Sequence, residues 1–518
     1  MHVRALDLID TVLDPGSFTA WADPLPEPAG IEPRYAEELR AAREKTGLEE
    51  SLVTGEGRIH GRRVAVAACE FAFLAGSIGV AAAERLVRAV ERATAERLPL
   101  VASPTSGGTR MQEGTVAFLQ MVKISAAVAA HKAAGLPYLV YLRHPTTGGV
   151  FASWGSLGHV TAAQPGALIG FLGPRVFEAL NGEPFPTGVQ VAENLYEHGL
   201  LDAVVPPGQL REIVGKVFAV LGPDDDPDDT PPPAPASAAA TAPAPAAPVE
   251  PAPFPDTPAW HSVQRSRDPE RPGLRTLLRH GAQSVTPLRG TGEGESEPSL
   301  RLALARFAGP GSAGRPCVVL GQDRTRQSEY GPFGPAGLRQ ARRGMRLAAE
   351  LGLPLVTVVD TAGAALSADA EQGGLAGEIA RCLAELVMLP APTVCLLLGQ
   401  GAGGGALALL PADRVLCAQH GWLSPLPPEG ASALLFRSTD RAPEIADRQG
   451  IRAADLLAHG IVDRIIPELP DAAAEPESFV RRVAATLEHE LTALQADTPE
   501  DRMHRRLARY RNLGLPEV

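Results

Sequence analysis

The chain has 518 residues, 45% of them hydrophobic, 21% charged and 5% aromatic, enough for two to four domains at about 150 residues each. The ordinary apolar fraction excludes a disordered chain or a coiled coil, and 53 Gly without a three-residue period exclude collagen. Sixty acids against 48 bases leave a net charge of -12 with no basic block, which argues against a nucleic-acid-coating surface.

The first residues carry Asp7, Asp10 and Asp14 and no continuous apolar core, so no secretory signal is expected. Residues 98–102 (LPLVA) read as a buried strand that leads into Ser106-Gly107-Gly108-Thr109-Arg110. A long helix follows at 110–134, whose Met111, Val116, Leu119, Val122, Ala126 and Ala129 form a core-facing stripe. Residues 138–142 are a second buried strand, ahead of Gly148-Gly149. From 231 to 258, 21 of 28 residues are Pro or Ala, behind an acidic run at 224–229, which reads as a semi-extended linker.

Beyond the linker the pattern starts again. Leu353-Pro354-Leu355-Val356-Thr357 leads into Asp360-Thr361-Ala362-Gly363-Ala364, 255 residues after its counterpart, and Gly148-Gly149 falls on Gly403-Gly404 at the same offset. A helix at 371–389 and a strand at 393–398 complete the copy. His198-Gly199-Leu200-Leu201-Asp202 matches His459-Gly460-Ile461-Val462-Asp463 at an offset of 261, so the second copy holds about six extra residues. The apolar run 393–410 approaches membrane-spanning length, but it contains five Gly and reads better as strand, Gly turn and helix than as a membrane helix. Strands alternating with helices imply mixed, mostly parallel sheets. The domain reading is 1–222, linker 223–258, and 259–518.

Each copy places a glycine turn after each of two buried strands, opening a helix. Backbone N–H groups gathered there can hold an oxygen as it becomes an oxyanion, with Gly allowing close approach. The alternative is that the glycines only cap helices and form tight turns; four pairs in repeated register favour the anion site. A phosphate loop lacks its GxxxxGK[ST] signature.

Side-chain catalysts are scarce: no GxSxG, HExxH or carboxylate pair lies near the turns. His198 and His459 read as caps of helix ends, and Asp202 and Asp463 as turn formers. Arg110 works against the dipole of the helix it opens and either meets a ligand carboxylate or phosphate or forms a structural ion pair. Cys69, Cys317, Cys382, Cys395 and Cys417 are scattered without a CxxC pair, so neither a zinc site nor a disulfide framework is expected, and a reducing cytoplasm fits.

Several blocks resemble one family. Asp14-Pro15-Gly16-Ser17-Phe18, Phe73-Leu74-Ala75-Gly76-Ser77-Ile78-Gly79, Ser106 to Gly114 (SGGTRMQEG) and Pro145-Thr146-Thr147-Gly148-Gly149-Val150 are similar to the beta subunit of bacterial acetyl-CoA carboxylase. Asp360-Thr361-Ala362-Gly363-Ala364, Gly403-Gly404-Gly405-Ala406-Leu407-Ala408 and Pro428-Glu429-Gly430 are similar to the alpha subunit. The chain thus resembles the carboxyltransferase component of biotin-dependent acyl-CoA carboxylases, beta and alpha fused in that order.

The resemblance implies an α/β architecture of two crotonase-like domains built from repeated ββα units. It implies carboxyl transfer from carboxybiotin, carried on a biotin carboxyl carrier protein charged by biotin carboxylase, to acetyl-CoA. Propionyl-CoA or another acyl-CoA, the reverse decarboxylation, and a non-catalytic acyl-CoA binder are the alternatives. Gly107, Gly108, Gly148 and Gly149 would hold the thioester oxygen, and Gly363, Ala364, Gly403 and Gly404 the ureido oxygen; Gly405 and Arg110 are the candidate biotin-binding residues. Biotin itself would act as base. Relatives share the site between protomers, so a homo-oligomer is implied, with no metal, nucleic acid or membrane. The chain departs from the pattern in lacking the beta subunit's zinc ribbon, in His144 and His159, and in Ala362 and Ala365, where the alpha motif has Pro and Tyr.

Overall fold

Short apolar strands alternate with helices in both copies. The computed structural model, which describes residues 3–25, 31–221, 257–307 and 314–515, pairs them into two seven-stranded sheets of one design. In the first sheet Thr19–Ala20, Leu52–Ile59 and Arg62–Cys69 are antiparallel, and Leu100–Ser103, Tyr138–Leu142, Val160–Ala163 and Ala203–Val204 continue in parallel. The second repeats this with Ala282–Leu288, Leu300–Phe307 and Arg315–Gln322, then Leu355–Thr361, Thr393–Gly401, Arg414–Ala418 and Arg464–Ile466. Leu355–Thr361 is buried along its whole length, as a strand covered on both faces must be.

The run 393–410 resolves into the strand Thr393–Gly401, a turn, and the helix Gly403–Leu407. The extra residues of the second copy are also placed. Asn181 and Ala192 are separated by 10 residues, whereas their counterparts Phe436 and Ala453 are separated by 16, and the difference accommodates the helix Ala442–Arg448. The linker at 223–258 falls, except for its last two residues, outside the described residues; the domain boundaries at 222 and 259 remain a proposal that fits the two sheets.

One expectation needs correction. The helix Gly114–Ala133 has no single core-facing stripe, because it is buried on nearly every side, Gln120 and Lys123 included. Val80–Ala95 packs on it from the first half, and Leu375–Val387 and Pro499–Asn512 from the second. It is long and apolar enough to cross a membrane, but most of it lies inside the protein.

Polar ties also join the halves. Glu371 accepts the N–H groups of Phe171 (2.8 Å) and Leu172 (3.3 Å) and the Gln190 amide (2.7 Å). Glu84, 1% exposed, receives Lys123 Nζ at 2.6 Å and Arg511 Nη1 at 2.8 Å from the last helix. Burial works against its ionised form, but the hydrogen bonds from Arg511 and Lys123 outweigh burial and pull its carboxyl down to about 2. A depressed carboxylate stabilises the fold fully above its ordinary value near 4.5, and that contribution disappears as pH falls from there through about 2. Glu84→Gln should therefore cost about 3 kcal/mol at neutral pH. The gap between parent and variant should close toward about pH 2 in urea melts. A gap that does not change with pH would sink this assignment.

Candidate active site

The four turns of the repeat come together. A Cβ placed on Gly148 would lie 3.1 Å from Gly108 Cα, and one on Gly405 would lie 3.2 Å from Ala364 N, so the two turns of each half touch. The backbone repeats as well. Gly108 and Gly363 have φ of 115° and 142°, and Gly148 and Gly403 have 66° and 65°, conformations that favour Gly in each copy.

Hydrogen bonds decide which amides are available. Gly107 donates to Ala75 O (2.9 Å), Gly148 to Phe171 O (2.9 Å) and Gly403 to Ser424 O (2.9 Å). Gly108 donates to Ser106 Oγ (3.0 Å) and Gly363 to Thr361 Oγ1 (3.1 Å). Among these turn residues, with Thr109 added, the amides of Thr109, Gly149, Ala364 and Gly404 have no acceptor among the described residues. They form two pairs related by the offset of 255. The expected set is thereby narrowed: Gly107, Gly108, Gly148, Gly363 and Gly403 shape the turns with N–H groups already engaged. Thr109 was missed, although the offset that links Gly149 to Gly404 also links Thr109 to Ala364.

Nor does every turn open a helix. Gly403 and Gly404 begin Gly403–Leu407, so Gly404 N–H has no partner within that helix. Gly108 precedes a single 3-10 turn, Met111–Glu113, and Gly363 lies several residues ahead of Ala368–Gln372. At Thr109 and Ala364, tight-turn geometry rather than a helix start frees the donor.

Gly107, Gly108, Gly148, Gly149, Gly363, Ala364, Gly403 and Gly404, together with Thr109, line one cavity of about 640 Å³ where the halves meet. The resemblance implied a site shared between protomers; here both halves of one chain wall it. Phe118, Phe171, Ile379 and Leu407 supply apolar surface, and Arg267, Arg324, Asp360 and Gln400 a polar wall. Burial raises the Asp360 carboxyl against the opposing pull of Arg324, and its Oδ1 accepts the Gln400 N–H at 3.1 Å.

Arg110 and Gly405 are not among the cavity's lining residues. A Cβ on Gly405 would lie 2.7 Å from the Phe333 ring, so it is a packing position. Arg110 is buried in a bidentate pair with Glu50, at 2.8 and 2.6 Å. His198 and His459 each place Nδ1 2.8 Å from a carbonyl four residues back, the capping role expected of them. Asp202 and Asp463 accept the strand N–H groups of Thr161 and Val415. His144 and His159 accept the backbone N–H groups of Leu168 and Tyr138 and do not face the cavity, whereas Ala362 lines it.

The carboxyl transferase domain model matches residues 4–507. This chain belongs to the carboxyl transferases. A probable biotin-dependent acyl-coenzyme A carboxylase beta3 subunit of Mycobacterium tuberculosis is 62% identical to it over 98% of this chain and 97% of its own. The acetyl-coenzyme A carboxylase carboxyl transferase subunits beta/alpha of Salinispora tropica are 38% identical over 97% and 89%. Among solved structures, transcarboxylase 12S, described as a hexamer with methylmalonyl-coenzyme A bound, covers 95% of this carboxyl transferase and 90% of its own chain at 19% identity and a TM-score of 0.38. Each half of the carboxyl transferase, a hairpin and helix followed by parallel strand-helix units, is a crotonase-like domain.

Proposed function

We propose that this carboxyl transferase of the biotin-dependent acyl-CoA carboxylase type moves a carboxyl group from carboxybiotin, held on a separate carrier protein, to acetyl-CoA. The observation that carries the reading is two pairs of main-chain amides with no acceptor among the described residues, on residues that line one cavity. Removing the α-proton of an acyl-CoA builds charge on the thioester oxygen, and Thr109 and Gly149 N–H would receive it. Release of the carboxyl group builds charge on the ureido oxygen, which Ala364 and Gly404 N–H would receive. Each such donor contributes about 3 to 4 kcal/mol when the charge forms out of water.

The residues present suit biotin. The Ala364 and Gly404 amides have no acceptor among the described residues, and Phe171 and Ile379 line the same cavity, which gives it apolar surface for a bicyclic ring. Bound there, biotin supplies the activated carboxyl group and, once free of it, the base. The chain's own contribution is alignment and exclusion of water, the apolar wall bringing the two oxygens into one compartment.

Acetyl-CoA is favoured by the likeness to the fused beta/alpha acetyl-type chains, while the 62% identical relative carries the broader acyl-coenzyme A name. Biotin carboxylase, a biotin carboxyl carrier protein, a homo-oligomeric assembly and a cytoplasmic setting belong to the same proposal. The test is a panel of acetyl-, propionyl- and butyryl-CoA with purified carrier and biotin carboxylase. Malonyl-CoA should form fastest; a preference for a longer acyl chain overturns the substrate, and no carboxylation of any of the three overturns the reading.

A further inference from the structure

We propose that the hydroxyls of Ser106 and Thr361 are positioning groups for the two amide pairs, each locking the peptide that aims the next residue's N–H into the cavity. The proposal rests on reading those amides as oxyanion donors. Ser106 and Thr361 are counterparts at the offset of 255 and are 0% and 1% exposed.

The geometry is the same in both copies. Ser106 Oγ accepts the Gly108 N–H at 3.0 Å and stands 3.2 Å from Gly108 O. Thr361 Oγ1 accepts the Gly363 N–H at 3.1 Å and stands 2.8 Å from Gly363 O. A peptide is planar and trans, so the carbonyl of Gly108 and the N–H of Thr109 point opposite ways from one rigid unit. A hydroxyl that holds the Gly108 carbonyl on the protein side therefore turns Thr109 N–H outward, and the hydroxyl of Thr361 does the same for Ala364.

The lock is needed because glycine at positive φ tolerates several backbone conformations, and a flipped peptide would present a carbonyl to the incoming negative charge. The two copies differ in how securely they are held. Gly108 O also accepts the Ile78 N–H at 3.1 Å, whereas Gly363 O has only the Thr361 hydroxyl among the described residues. The single Thr361 hydroxyl proton is moreover shared between Gly363 O and Gln327 Oε1, which accepts at 2.6 Å while Gln327 Nε2 donates to Asp360 O at 2.9 Å, so the second copy is held less securely than the first.

Thr361→Val keeps the volume and removes the hydroxyl, and Thr361→Ser restores it. The experiment measures transfer from malonyl-CoA to free biotin with the full chain. Losing an oxyanion donor outright costs roughly 10²- to 10³-fold, so a donor that is misaimed part of the time should lower kcat by about tenfold. KM for malonyl-CoA and the melting temperature should stay at parental values, Thr361→Ser should recover the rate, and Ser106→Ala should lose less because Ile78 shares the load. An active parent with Thr361→Val equally fast, or a loss that Ser does not rescue, overturns the positioning role alone. A parent that transfers nothing to free biotin from any acyl-CoA overturns the proposed function and the positioning role with it.

Discussion

Gly149→Val and Gly404→Val should each reduce carboxyl transfer by about 10²- to 10³-fold in a chain that remains folded. A Cβ on Gly404 would stand 2.9 Å from Ile379 Cδ1 and from the Phe171 ring, and the branched side chain has to push that ring aside at the point where the two halves close on the cavity. A Cβ on Gly149 meets Thr109 Cγ2 at 3.1 Å and Met121 Cγ at 3.2 Å, so the same substitution displaces both donors of the first pair. Gly107 is the contrasting position. Its N–H is already given to Ala75 O and a Cβ there has its nearest neighbours at 3.7 Å, so Gly107→Ala should lose less than about tenfold. Kinetics with circular dichroism distinguish the cases: if both valine variants fold and transfer at the parental rate, these glycines only form turns.

That contrast shows what the amino-acid sequence could and could not disclose. The repeat at 255 was legible because buried parallel strands and the turns after them impose local demands, β-branched apolar runs and glycine at positive φ, that each copy must meet separately. Burial of 393–410 was legible for the same reason. Which amides are open was not, since that depends on partners supplied from elsewhere: Phe171 for Gly148, Ser424 for Gly403, Ala75 for Gly107. Thr109 carries no glycine to draw attention, and only the register pointed at it. The contacts between halves leave no periodic trace either. Glu371 reaches the Phe171 N–H across 200 residues, and the helix expected at 110–134 read as having one core-facing stripe because the second half that covers its other side is remote in the chain.

Arg110 is the clearest instance of a residue whose type suggested a ligand and whose surroundings supply another use. Burial disfavours both its charge and that of Glu50, yet their mutual hydrogen bonds outweigh burial, holding the guanidinium pKa up and the carboxyl pKa down. The same guanidinium donates to Ser77 O at 2.7 Å, and next to it Arg110 N bonds Ile78 O while Ile78 N bonds Gly108 O. The ion pair therefore fastens the segment that flanks the Thr109 amide. Arg110→Ala leaves Glu50 buried without its cation and should cost about 3 to 5 kcal/mol of stability. Because the damage spreads through Ile78 to the turn, kcat should fall with it while KM for free biotin stays near the parental value. Adding Glu50→Ala should recover part of the stability by removing the stranded charge, whereas a direct role in holding biotin predicts the opposite pattern: KM for biotin rises, the melting temperature is unchanged, and the second substitution brings no relief.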